Sequence, residues 1–182
     1  MRIGISQKIL YDNGSPHDAL DQGWYNVLNG HSLYFLPNAG IIDFDHVADN
    51  LDSFIITGGE EVDKRREIEL KLANRMIARG KPVVGTDRGA LLIAELLNSE
   101  IETKRKHVTK NYPIIYHGEV IEVPGEQTLG ILKMNSEVEI LCTDYKGYVE
   151  AFISGNIAGI VWSPERMNKP WIPPEIALLL RI

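Results

Sequence analysis

A buried-looking strand, Pro82-Val83-Val84, runs straight into Gly85-Thr86-Asp87-Arg88-Gly89 and then into the apolar stretch Ala90 to Leu97. Few arrangements accommodate that succession. The glycines two residues either side of Asp87 allow a turn tight enough to push the central side chain out over the end of a sheet. The following helix directs its free backbone N–H groups at the same point. This is the form of a nucleophile elbow, and it predicts a strand–turn–helix unit inside an α/β domain.

The rest of the chain supports that frame. Arg2 to Ser6 reads as a short buried first strand, and Ser32 to Leu36 and Ser53 to Thr57 read as a second and a third, the last broken by Gly58-Gly59. Between Val62 and Arg79 a buried stripe of Ile68, Leu72, Ala73, Met76 and Ile77 predicts a long helix, which Gly80 ends. Ser15-Pro16-His17-Asp18 has the grammar of a helix start, with Leu20, Trp24, Val27 and Leu28 on one face. Alternating strands and helices imply a mainly parallel sheet covered on both faces. After residue 110 the rhythm changes to strand-like segments: Ile114 to Tyr116, Val120 to Val123, Leu129 to Met134, Glu139 to Cys142, Tyr148 to Ile153 and Ile157 to Trp162. A short helix follows from about Pro174. With 182 residues and no linker or low-complexity tract, the expectation is one domain over 1–182.

A net charge of −6 argues against a nucleic-acid surface, and Lys104-Arg105-Lys106-His107 reads as a solvated loop. The single cysteine, Cys142, excludes an internal disulfide and fits a reducing compartment, and its strand-like setting suggests a buried structural thiol. No apolar run approaches 18 residues and the first residues lack signal-peptide anatomy, so the expectation is a cytoplasmic protein without a membrane span. His, Cys, Asp and Glu show no metal-ligand spacing.

Four ordered segments resemble the class I glutamine amidotransferases, especially the γ-glutamyl hydrolases of the peptidase C26 type. Pro82 to Gly89 is similar to that family's elbow. Ile55-Ile56-Thr57-Gly58-Gly59 is similar to its oxyanion-hole strand and double glycine, and Glu69 falls where the family has a glutamate. Glu150-Ala151-Phe152 with Gly159 to Arg166 resembles its terminal motif. The resemblance spans nearly the whole chain. It implies a flavodoxin-like three-layer α/β sandwich with a β-rich C-terminal half and no cofactor. It also implies a ligand or oxyanion region at Gly58, Gly59, Arg88 and His107.

The family's triad is Cys, His and Glu; the matching positions here are Asp87, Ser163 and Glu165. A glutaminase needs a thiolate to attack the amide and an imidazole to carry the proton. Leu91, Val138 and Arg66 also replace a glutamine, a histidine and an aspartate usual in the family. The expectation is a degenerate triad in a pseudoenzyme that binds a γ-glutamyl-like small molecule or a protein partner, a homodimer included. Asp87 would then act as a helix N-cap, Ser163 as the cap of a helix start at Pro164, and Glu165 with Arg166 as a rim ion pair. The alternative is a divergent γ-glutamyl or related amide or ester hydrolase using Asp87, with His107 as the best remaining candidate base. Trp171 is read as packing the C-terminal segment in preference to meeting a partner.

Overall fold

A computed structural model describes residues 1–103, 111–125 and 128–182. Strands β1 (Arg2–Ser6), β4 (Ser32–Leu36), β5 (Ser53–Ile56), β6 (Val83–Thr86) and β13 (Ile157–Ile160) form the parallel part of one sheet, in the order β4-β1-β5-β6-β13. All four residues of both β5 and β6 are buried, as expected of strands covered on both faces. From β13 the sheet continues antiparallel through β12 (Val149–Ser154), β11 (Glu139–Asp144), β8 (Asn111–Tyr116) and β9 (Glu119–Pro124). The pair β7 (Glu100–Thr103) and β10 (Leu129–Lys133) branches off at β12. The β-rich second half expected from the sequence is this antiparallel extension.

Helices α2 (Phe44–Asn50), α3 (Asp63–Ala78) and α4 (Arg88–Leu96) contribute to the core on one face, where Ala48, Leu72, Met76 and Leu92 are buried. α1 (Trp24–Val27) and α5 (Pro174–Leu180) contribute Trp24, Ile176 and Leu180 to the core on the other. The result is the flavodoxin-like α/β sandwich. Two motif residues explain themselves in packing: Phe152 lies opposite Gly159 across β12 and β13, and a Cβ on Gly159 would come within 2.2 Å of the Phe152 ring. Trp171 stacks on Trp162 with centroids 5.4 Å apart, so it packs the C-terminal segment.

The helix expected from Ser15 is absent. Residues Lys8–Asp12 (β2) and Ser15–Ala19 (β3) form a two-stranded hairpin, and only Trp24–Val27 is helical. Asn13 and Gly14 have φ of 48° and 80°, the paired positive values of a two-residue hairpin turn. The Asn-Gly dipeptide outweighs the helix-start grammar that follows it, and Pro16 is tolerated because this ribbon has only two strands.

Candidate active site

The elbow forms as the sequence predicts. β6 ends at Thr86, and α4 begins at Arg88. Asp87 between them is held at φ 55°, ψ −120°, a strained conformation for a residue with a side chain. Its N–H donates to the Ile160 carbonyl at 2.8 Å, tying the turn to the end of β13. Both flanking glycines are required by close approach. A Cβ on Gly85 would lie 2.2 Å from the Gly89 carbonyl oxygen, and one on Gly89 would lie 2.1 Å from the Ile56 carbonyl oxygen.

Asp87 does not cap its helix: its side chain makes no bond to the N-terminal N–H groups of α4. By contrast, Asp43 caps α2 by accepting from the His46 N–H at 3.0 Å. The positive φ of Asp87 turns its carboxyl the other way, against Gly58, where a Cβ would come within 2.1 Å of Oδ2. Burial pushes the Asp87 carboxyl above the usual aspartate range. The charge of Arg166, the nearby Gly59 backbone, the charge of Arg88 and the Ser163 hydroxyl all pull it back. The double-glycine loop of the resemblance therefore has the protein's own carboxyl packed against it.

Ser163 is 1% exposed, and its N–H reaches the Pro124 carbonyl at 3.3 Å. It caps nothing with its side chain, because the segment Pro164–Arg166 is a single 3-10 turn and not the start of a helix. Glu165 is not at a rim: it is 8% exposed, and its nearest approach to Arg166 is a loose 3.9 Å. Its Oε2 is buried without a partner among the described residues. Burial pushes the Glu165 carboxyl up to about 7. A bond from its own backbone and the charge of Arg166 oppose the rise, whereas Asp87 and Asp21 reinforce it.

Beside these groups lies a cavity of about 20 Å³, lined by Lys8, Asp21, Trp24, Gly58, Gly59 and Glu165 among others. That volume holds about one water molecule. The unexpected β2–β3 hairpin supplies one wall of it, through Lys8 and Ala19. Arg166 lines this cavity and also a second one, of about 260 Å³, with Asn111, Glu122, Pro124, Asn168 and Lys169.

The Arg88 side chain leaves the site for α3. Its Nη1 donates to Glu61 at 2.8 Å and its Nη2 to Glu69, and both Arg88 and Glu69 are buried. Glu69 also accepts from Arg65 Nε at 2.9 Å. Arg65, 0% exposed, is the residue that the sequence reading missed; it donates from Nη1 to the Gly58 carbonyl at 2.9 Å and from Nη2 to the Thr57 carbonyl at 2.8 Å. The signal for it was available: the buried stripe of α3, stepped back from Leu72 by three and seven residues, meets Glu69 and Arg65.

His107 and the Lys104–His107 run lie outside the described residues. His17, on β3, and His46, on α2, are not among the residues lining either cavity, nor are His31 and His117. Cys142 is buried, and burial pushes its thiol up to about 12, which makes it a poor thiolate source. Among the described residues no cluster of three or more His, Cys, Asp or Glu could hold a metal ion, and no helix is long and apolar enough to cross a membrane.

No family model matches the chain. It is 29% identical over 185 residues to the γ-glutamyl-CDP-amidate hydrolase of Campylobacter jejuni subsp. jejuni, a match that covers 92% of each protein. A solved glutamine amidotransferase from Thermotoga maritima has a TM-score of 0.71 at 12% identity, over 90% of this chain and 76% of that one. Another glutamine amidotransferase has a TM-score of 0.71 at 14% identity over 99% of each chain. The chain therefore has the fold of solved glutamine amidotransferases. In sequence it is similar to the Campylobacter γ-glutamyl hydrolase, in agreement with the resemblance that the four ordered motifs carry.

Proposed function

We propose that this protein does not hydrolyse glutamine and acts instead as a binding or regulatory member of the superfamily. One observation carries the reading: the Asp87 carboxyl, at the nucleophile's own position, packs against the double-glycine loop whose N–H a substrate oxyanion would need, so closely that a Cβ on Gly58 would come within 2.1 Å of its Oδ2. An oxyanion hole works only if its donors are free to meet charge that develops in the transition state. A carboxylate is also a far weaker nucleophile than a thiolate, and Ser163 has no basic nitrogen with which to carry a proton.

The cavity of about 260 Å³ is the place for a ligand. Arg166 and Lys169 supply positive charge and Glu122 negative charge in one small polar space. That pattern suits the carboxylate and ammonium of an amino-acid head group such as a γ-glutamyl compound carries. The relative's hydrolase name points to the same class of molecule. The test has two arms. Glutamine and γ-glutamyl amides are expected to release no ammonia or glutamate, and turnover abolished by Asp87→Ala would overturn the proposal. Calorimetry with glutamate and γ-glutamyl dipeptides is expected to show binding that Arg166→Ala removes.

A second reading, a divergent hydrolase, draws on Glu165. A buried, unpartnered carboxyl oxygen that titrates near neutrality beside a water-sized cavity is suited to activating a water. It requires a covalent intermediate on Asp87, visible as an added mass in the intact protein during turnover of a slow acyl substrate. No adduct across esters and amides would exclude it. The paired change Asp87→Cys with Ser163→His separates the two: regained glutaminase activity means that only the reacting groups were lost, while the substrate pocket persisted.

A further inference from the structure

Arg65 is a charged side chain at 0% exposure, and it touches none of the three triad-equivalent residues in the hydrogen bonds it makes. Burying a guanidinium costs several kcal/mol unless every donor finds a partner. Here the partners are specific. Nε goes to Glu69 Oε1 at 2.9 Å, Nη1 to the Gly58 carbonyl at 2.9 Å, and Nη2 to the Thr57 carbonyl at 2.8 Å and to Thr57 Oγ1 at 3.0 Å. A longer contact of 3.5 Å reaches Ser6 Oγ. The planar fork therefore grips two successive carbonyls of the double-glycine loop and anchors them to α3.

We infer that Arg65 is the positioning residue of this loop: by holding the Gly58 carbonyl it turns the Gly59 N–H toward the elbow. The reason is the planarity of the peptide. In a trans peptide the carbonyl and the next N–H point in opposite directions, so fixing one fixes the other. The Gly58 oxygen points at Arg65, and the Gly59 N–H accordingly points away from it, on the loop against which the Asp87 carboxyl packs. Gly59 accepts the turn because its φ of +108° suits glycine alone, and a Cβ there would also lie 3.1 Å from Arg65 Nη1. Lysine cannot replace this arrangement, because a single ammonium lacks the fork that reaches both carbonyls and Glu69 in one plane. The inference rests on the reading that the Gly59 N–H serves Asp87, and it assigns the cause of that orientation.

The experiment is a carboxyl and amide titration by NMR in the whole protein. In the wild type the Gly59 amide is expected to move with the same midpoint as the Asp87 side-chain carbon. In Arg65→Lys the Gly59 response is expected to fall by at least half, and the Asp87 midpoint to rise, since a hydrogen bond to the ionised form is lost. A purely structural arginine would lower the melting temperature and leave both readouts unchanged, which overturns the inference; so does a wild-type Gly59 amide that ignores Asp87. If Arg65→Lys does not fold, hydrogen exchange in the wild type decides. A loop locked to α3 exchanges Gly59 as slowly as Leu72 and Ala73, and exchange at the rate of a free loop overturns the inference. Ammonia release from glutamine by the wild type would defeat the functional proposal without touching any of these readouts.

Discussion

The carboxyl of Asp87 lies directly against the Cα of Gly58, so close that a Cβ at position 58 would come within 2.1 Å of Oδ2 and 2.8 Å of Cγ. A glycine on one loop and an acid on another have become a single packed unit. The two residues are 29 positions apart and are brought together by the adjacency of β5 and β6.

Gly58→Ala is expected to destabilise the protein by about 1–3 kcal/mol, because the added methyl overpacks that contact. In an Asp87→Ala background the same change should cost much less. The coupling from a double-mutant cycle of urea unfolding is then roughly 0.5–3 kcal/mol. A coupling near zero would mean that the carboxyl does not rest on Gly58.

Asp87 holds a positive φ that glycine adopts freely. Asp87→Gly is therefore expected to be more stable than Asp87→Ala by about 1 kcal/mol, since both variants lose the carboxyl and only one relieves the backbone. Chemical denaturation of the two variants, compared at the same pH, checks this.

Glu165 makes stability depend on pH in an unusual direction for a carboxylate. Its folded value, about 7, lies above its ordinary value of 4.5. The folded state thus holds the proton more tightly, and stability falls as pH rises from about 4.5 to 7. Between those limits the loss from this group is about 3 kcal/mol. Glu165→Gln is expected to flatten the slope of unfolding free energy over that range, and an unchanged slope would show that the group titrates elsewhere.

Glu69→Gln is expected to cost about 3–5 kcal/mol, because it leaves the two buried guanidinium groups of Arg65 and Arg88 without their shared carboxylate. Thermal unfolding measures it. A loss below 1 kcal/mol would imply that water reaches the network.

Much of this architecture could be read in the chain. The long helix, the elbow and the six strands of the second half follow from periodicity and from the spacing of glycines. The hairpin at Asn13-Gly14 did not, because Ser15-Pro16-His17-Asp18 satisfies the local rules of a helix start and nothing local reveals that residues 8–12 lie alongside. Asp87 was read as a cap because aspartate before a helix usually is one. Its role depends on φ, which places the side chain over Gly58, and residue type alone does not specify φ. Glu165 and Arg65 look like surface charges until the tertiary fold buries them, Arg65 on the same stripe that carries Leu72 and Met76 into the core.

Asp87 rests on the same loop that carries the Gly59 N–H. If the proposed function holds, a carboxyl so placed acts as a tethered competitor at its own cleft, present at an effective concentration of roughly millimolar or more. Any free carboxylate or oxyanion that seeks the same donor must displace a competitor that never diffuses away. Shortening or neutralising that one side chain would turn a self-occupied recess into a receptive one.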